Sequence, residues 1–105
     1  MSDHSPSHPP AEALELPTVL HALSDPVRLQ IVRSLAENGA CNCGTFAVPV
    51  AKSTLSHHLR VLREAGVTFT EPAGTQRVVS LRRPELDERF PGLLDAVLGA
   101  AAVPG

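Results

Sequence analysis

The chain has 105 residues, of which 43% are hydrophobic, 3% aromatic and 19% charged, with a formal net charge of −2. That is one domain, small enough that association with a second copy is expected to cover part of its apolar surface. It holds no apolar run of about 18 residues and no charged-then-apolar leader, which points to a cytoplasmic protein with no membrane partner.

MSDHSPSHPP is rich in Ser, Pro and His, and residues 1–10 read as a mobile arm ahead of a domain over 11–102 and a short flexible tail at 103–105. From Ala11 to Leu23 the apolar positions Leu14, Leu16, Val19, Leu20 and Leu23 predict a short helix, which starts late because Pro17 suits a first turn. Asp25 followed by Pro26 is a cap with proline at the first helical position. The stripe Val27, Ile31 and Leu35 then carries a second helix to Asn38-Gly39. GACNCGTFAVPV accommodates a short helix around residues 43–47, stopped by Pro49. KSTLSHHLRVLREAG is a longer helix that opens at Lys52 or Ser53 and ends at Gly66. VTFTEP and TQRVVSLR are β-rich runs joined as a hairpin at Ala73-Gly74, and after Pro84 the chain is helical again, with an interruption at Pro91. The expected fold is mainly α with a small β-hairpin, in the order α-α-α-α-β-β-α. A helix, a turn, a second helix and a two-stranded wing form a winged helix-turn-helix, which places its second helix in the major groove of DNA.

Charge distribution agrees with that reading. Residues 52–83 hold Lys52, Arg60, Arg63, Arg77, Arg82 and Arg83 against Glu64 and Glu71, whereas both flanking segments are acidic. A basic middle between acidic ends is the footprint of a surface that meets a polyanion. Along the helix after Lys52, a step of about 100° per residue gathers Leu55, Leu59, Leu62 and Ala65 on one side. His58 falls at the edge of that apolar side, as a packed histidine hydrogen-bonded inside the domain. His57 falls opposite, with Ser53, Ser56 and Arg60, the donor types that phosphates and base edges require. A solvated polar face is the alternative for that side.

Cys41 and Cys43 are too close in sequence to close a useful loop, and a reducing compartment keeps them as thiols. Two thiolates one residue apart can share a soft or borderline cation, but zinc asks for four ligands, which His4 and His8 on the arm would complete, across a dimer if need be. The alternative makes Cys43 a small buried hydrophobe and Cys41 a bystander. Once Met1 is removed, Ser-Asp-His offers a free amine, two amide nitrogens and the His4 ring, a square plane suited to Cu(II) or Ni(II). No Ser/His/Asp order, paired-carboxylate motif or phosphate loop appears, so an enzyme is not expected.

ALSDPVRLQIVRSLAENG, then KSTLSHHLRVLREAG, then GTQRVVSL resembles the ArsR/SmtB family of bacterial winged-helix regulators over about residues 20–83. The resemblance implies a homodimer, built from the first and last helices, that binds a palindromic operator on double-stranded DNA and changes its grip when an effector binds. It also implies DNA contacts from the recognition helix, at Lys52, Ser53, Thr54, Ser56, His57, Arg60 and Arg63, and from the wing tip at Gly74, Thr75, Gln76 and Arg77. The dimer face would be Val19, Leu20 and Leu23 with Leu93, Leu94, Val97 and Leu98. Many members carry a Cys-x-Cys pair on the third helix, near the place of Cys41-Asn42-Cys43, which points to a nickel, zinc or copper effector. The family's other site, paired Asp and His on the last helix, finds only Asp95 here. A redox or small-molecule effector is the alternative, and a protein-interaction adaptor that does not bind DNA is another.

Overall fold

The computed structural model describes residues 8–42 and 50–102. A short 3-10 turn, Ala11–Ala13, leads into α1 (Leu16–Ala22), α2 (Pro26–Asn38), β1 (Cys41–Asn42), α3 (Lys52–Glu64), β2 (Thr68–Ala73), β3 (Gln76–Leu81), α4 (Arg83–Arg89) and α5 (Leu93–Ala102). The expected short helix at 43–47 lies outside the described residues.

Local chemistry accounts for most of the boundaries. Pro17 occupies the first turn of α1. The Asp25 carboxylate accepts from the backbone N–H groups of Val27 at 2.8 Å and Arg28 at 3.2 Å, which satisfies two donors that a helix start leaves open. At the end of α3 the Val67 N–H bonds the Leu62 carbonyl and the Gly66 N–H bonds the Arg63 carbonyl, both at 3.0 Å, with Gly66 at φ 86°. That is the paired closure in which a residue of positive φ ends a helix, and it turns the chain straight into β2. Pro91 and Gly92 separate α4 from α5, as the proline predicts.

The antiparallel sheet has the order β1-β3-β2. Its third strand is one the sequence reading left out: Cys41 lies opposite Val79 and Asn42 opposite Val78. The hairpin loop is Gly74-Thr75, one residue later than Ala73-Gly74, with Gly74 at φ 66° in the first loop position. A two-residue hairpin loop of this kind favours glycine there. Pro72 is tolerated because β2 is an edge strand.

Helices and sheet enclose a core that includes Leu14, Val19, Ile31, Val32, Leu62, Val67, Val79, Leu86 and Leu94, each at most 2% exposed. Leu62 and Val67 belong to α3 and the turn after it, so the helix is anchored at its carboxy-terminal end. Its amino-terminal half keeps Leu55 against the core and exposes Lys52, Ser53, Thr54, Ser56 and His57. Among the described residues no helix is long and apolar enough to cross a membrane.

Candidate nucleic-acid interface

Lys52, Ser53, Thr54, Ser56, His57 and Arg60 all stand exposed on the first two and a half turns of α3, while His58 and Leu62 on the other side are buried. The division follows from the helical step: Ser53, His57 and Arg60 recur at i, i+4 and i+7 and share one stripe. Arg60 Nε donates to Glu64 Oε2 at 3.3 Å, with both side chains more than half exposed. An exposed i,i+4 pair of this kind contributes about 0.3–0.5 kcal/mol, too little to keep the guanidinium from a phosphate.

Behind the exposed stripe lies a polar contact that holds α3 to α2. Arg28 is 7% exposed and His58 8%. Arg28 Nε donates to the Ala22 carbonyl at 2.7 Å, Nη2 donates to the His21 carbonyl at 3.4 Å, and Nη1 lies 3.1 Å from His58 Nδ1. A guanidinium can only donate, so Nδ1 must supply its lone pair and the neutral ring carries its proton on Nε2. Asp25 Oδ1 sits 3.9 Å from the same ring nitrogen. Burial pushes the Asp25 carboxyl up, but the amides of Arg28 and Val27, joined by the Arg28 guanidinium and by the His58 ring whenever it is protonated, outweigh it and hold the group below its ordinary value. The packing of His58 was legible in its place at the edge of the apolar side. Arg28 was not singled out, although it shares a stripe with Ile31, Val32 and Leu35, and a lone arginine on an apolar stripe is the signal of a buried, fully hydrogen-bonded guanidinium.

The wing projects beside α3. Ala73 through Arg77 are all exposed. Gln76 Oε1 accepts from Asn42 Nδ2, which ties the wing strand to β1 and engages a side chain that the resemblance assigns to DNA.

The basic middle of the sequence is narrower as a surface than as a count. Arg82 is 5% exposed, forks onto Glu85 through Nε and Nη2, and donates from Nη1 to the Pro9 carbonyl at 2.8 Å. The Glu85 carboxyl is held low by its hydrogen bond from Arg82, partly countered by burial. Arg83 pairs with Asp87 at 3.4 Å and with Asp95, so the one acidic residue on α5 is already engaged. Arg63 differs from the expectation that placed it with Arg60. It lines a cavity of about 430 Å³ with His8, Pro9, Pro10 and Glu64, and its Nε is buried without a hydrogen-bond partner. Lys52, Arg60 and Arg77 are the basic side chains that stand exposed on α3 and the wing.

Of the four expected ligands only Cys41 and His8 are among the described residues, and they stand apart. Cys41 is half-buried on β1; Cys43, His4 and the amino-terminal Ser-Asp-His lie outside the described residues. The His8 ring stacks on Phe69, with centroids 4.1 Å apart and planes 16° apart, and its Nε2 accepts from the Thr70 N–H at 3.0 Å. Burial, then the charges of Arg82 and Arg63, push the His8 ring below its usual value. Thr70 and Cys41 pair with Val79 from opposite sides, so within one chain Cys41 is separated from Thr70 by two strand spacings, roughly 10 Å. His8 lies beyond Thr70 on the far edge. Among the described residues no group of three or more His, Cys, Asp or Glu is placed to hold a metal ion.

The expected dimer face divides as well. Val19, Leu23 and Leu94 are buried in the chain's own core, which removes them from a list of residues that await a partner. Leu20 is 44% exposed, as is neighbouring Leu16 at 41%, and Leu93, Val97 and Leu98 are partly buried against the core.

Residues 25–67 match the family described as bacterial regulatory protein, arsR family. The chain is 37% identical over 82 residues to the HTH-type transcriptional regulator YceK of Bacillus subtilis, which covers 75% of this chain and 82% of that one. It is 34% identical over 74 residues to the arsenical resistance operon repressor of Staphylococcus xylosus, across 70% of this chain and 71% of the relative. Among solved structures, the transcriptional repressor BigR from Xylella fastidiosa superimposes with a TM-score of 0.66 at 28% identity, over 85% of this chain and 88% of that one. With α3 and a β-hairpin wing in place, and relatives that are regulators and not enzymes, the chain belongs to the ArsR family of bacterial transcriptional regulators.

Proposed function

We propose that the chain is an operator-binding repressor that acts as a homodimer, with Lys52, Ser53, Thr54, Ser56, His57 and Arg60 of α3 entering the major groove and Gly74, Thr75 and Arg77 of the wing meeting the flanking backbone. The observation that carries this reading is the division of α3: six hydrogen-bonding side chains stand exposed in a row above a buried His58 and Leu62. Supporting it are the relatives that are named repressors. The dimer would cover Leu16 and Leu20 on α1 and the outer side of Leu93, Val97 and Leu98 on α5, while Val19, Leu23 and Leu94 shape that surface from beneath. Footprinting on the chain's own upstream DNA tests the arrangement. Two protected half-sites about one helical turn apart, or a multiple of it, are expected, together with a mass of two chains by light scattering. A micromolar monomer that protects one half-site would contradict it.

The effector we propose is a thiophilic metal or metalloid bound at Cys41 and Cys43. Relatives named for arsenical resistance support that class of effector. Zinc, nickel or copper at the same thiolates would need two further ligands. His8 supplies one only if the site joins two chains or the amino-terminal segment leaves Thr70, because it lies across the sheet from Cys41.

A further inference from the structure

The contact between Arg28 and His58 has a polarity that the DNA-binding face does not by itself require. Arg28 is anchored from behind by the carbonyls of Ala22 and His21, at the end of α1, and meets the recognition helix through one ring nitrogen. Its guanidinium therefore links three helices. His58 directly follows His57 on α3, and the two rings lie 5.8 Å apart. One peptide unit of helical backbone joins the two residues, so a shift of α3 at His58 also shifts His57.

We propose that Arg28 and His58 are positioning residues for the recognition helix, and that they set α3 for operator binding only while the His58 ring is neutral. This rests on the reading of α3 as the DNA-binding helix. Neutral, the ring accepts from Nη1 at Nδ1. Protonated, Nδ1 carries a hydrogen that points at another donor, and an imidazolium faces a guanidinium at hydrogen-bond distance. Asp25 Oδ1, 3.9 Å away, is then an acceptor at hand, and its carboxyl is already kept ionised by the start of α2. Exchange of Arg28 for Asp25 moves the ring, and with it the first turns of α3. The titratable and charged groups at this ring are Asp25 and Arg28 from α2 and His57 from its own helix; α1 presents backbone carbonyls to the guanidinium, and the His21 side chain is exposed.

Two measurements decide the proposal. In nitrogen-15 spectra of the intact chain, His58 Nδ1 should show the shift of an unprotonated, hydrogen-bond-accepting nitrogen at neutral pH, and the α3 amide signals should move as that ring titrates. Operator affinity of the unaltered chain should fall by about tenfold or more across the pH range in which those spectra show His58 taking up its proton, a coupling of ordinary size. His58→Asn, whose Oδ1 can accept from Arg28 and does not titrate, should be markedly less sensitive, with the His57 contribution common to both proteins. An Nδ1 that carries the proton at neutral pH, or an identical pH profile in His58→Asn, would overturn the proposal. If the chain binds no DNA at any pH, the reading of α3 fails. The spectra still decide whether the contact is proton-gated, with still α3 amides during the ring's titration counting against it.

Discussion

Gly66 and Leu14 fit together because one of them has no side chain. A Cβ on Gly66 would lie 1.9 Å from Leu14 Cδ2, and Gly66 holds φ 86° where the chain leaves α3 for β2. Gly66→Ala therefore combines a strained backbone with overpacking, and we expect a loss of about 2–4 kcal/mol in chemical denaturation. Leu14→Ala, which empties a fully buried site, should cost about 2–5 kcal/mol. The double variant should lose less than the two single losses together, because removing the Leu14 side chain removes the clash.

Asp25 should be worth about 1 kcal/mol as the cap of α2, read as the difference between the unaltered chain and Asp25→Ala. Its folded carboxyl titrates below its unfolded value, so its charge-dependent contribution is complete above about pH 4 and disappears as pH falls through the lower, folded value. Asp25→Asn, which keeps an acceptor and loses the charge, should be less stable than the unaltered chain at neutral pH and approach it in acid. Denaturation midpoints at several pH values provide the check.

How much of this was legible in the residues divides along physical lines. The caps at Asp25-Pro26 and Gly66, the apolar stripes of α2 and α3 and the glycine turn of the wing are local features, and each helix or strand they predict is present. β1 was not legible, because two residues have no periodicity and their strand character comes from pairing with β3, distant in sequence. Arg63 and Arg82 were counted with the basic surface, although one turns toward His8 and Pro9 and the other is closed off by Glu85 and the Pro9 carbonyl. Net charge along a sequence does not say which charges meet solvent. Burial within a chain is likewise a property of all its elements together, which is why Val19 and Leu94 read as dimer residues until the core was assembled.

On DNA, Arg60→Ala should weaken operator binding by about 1–3 kcal/mol, with a larger loss on operator than on random DNA, if its guanidinium reaches a base edge. Arg77→Ala at the wing should weaken both more evenly. Arg63→Ala should leave operator affinity within about twofold, since that side chain lines the cavity beside His8, Pro9 and Glu64. Equilibrium titrations of the three variants at one salt concentration separate the cases.

For the effector, replacing both Cys41 and Cys43 with Ser should abolish an intense sulfur-to-metal charge-transfer band in Co(II) or Ni(II) adducts. A square-planar Ni(II) spectrum from an amino-terminal Ser-Asp-His should survive that change and vanish when the amino terminus is extended by one residue. Operator affinity must shift with whichever ion is the effector, because a ligand moves an equilibrium only by its differential affinity for the two states.

The exposed stripe of α3 is proposed to read operator DNA. Fluorescence anisotropy with the chain's own upstream DNA and a random duplex of equal length, at physiological salt, tests it most directly. At least about a thousandfold preference for the upstream duplex is expected, reduced by Arg60→Ala. Equal affinity for the two duplexes that Arg60→Ala leaves unchanged, or no binding to either, would contradict it and would leave a winged helix that meets proteins instead of DNA.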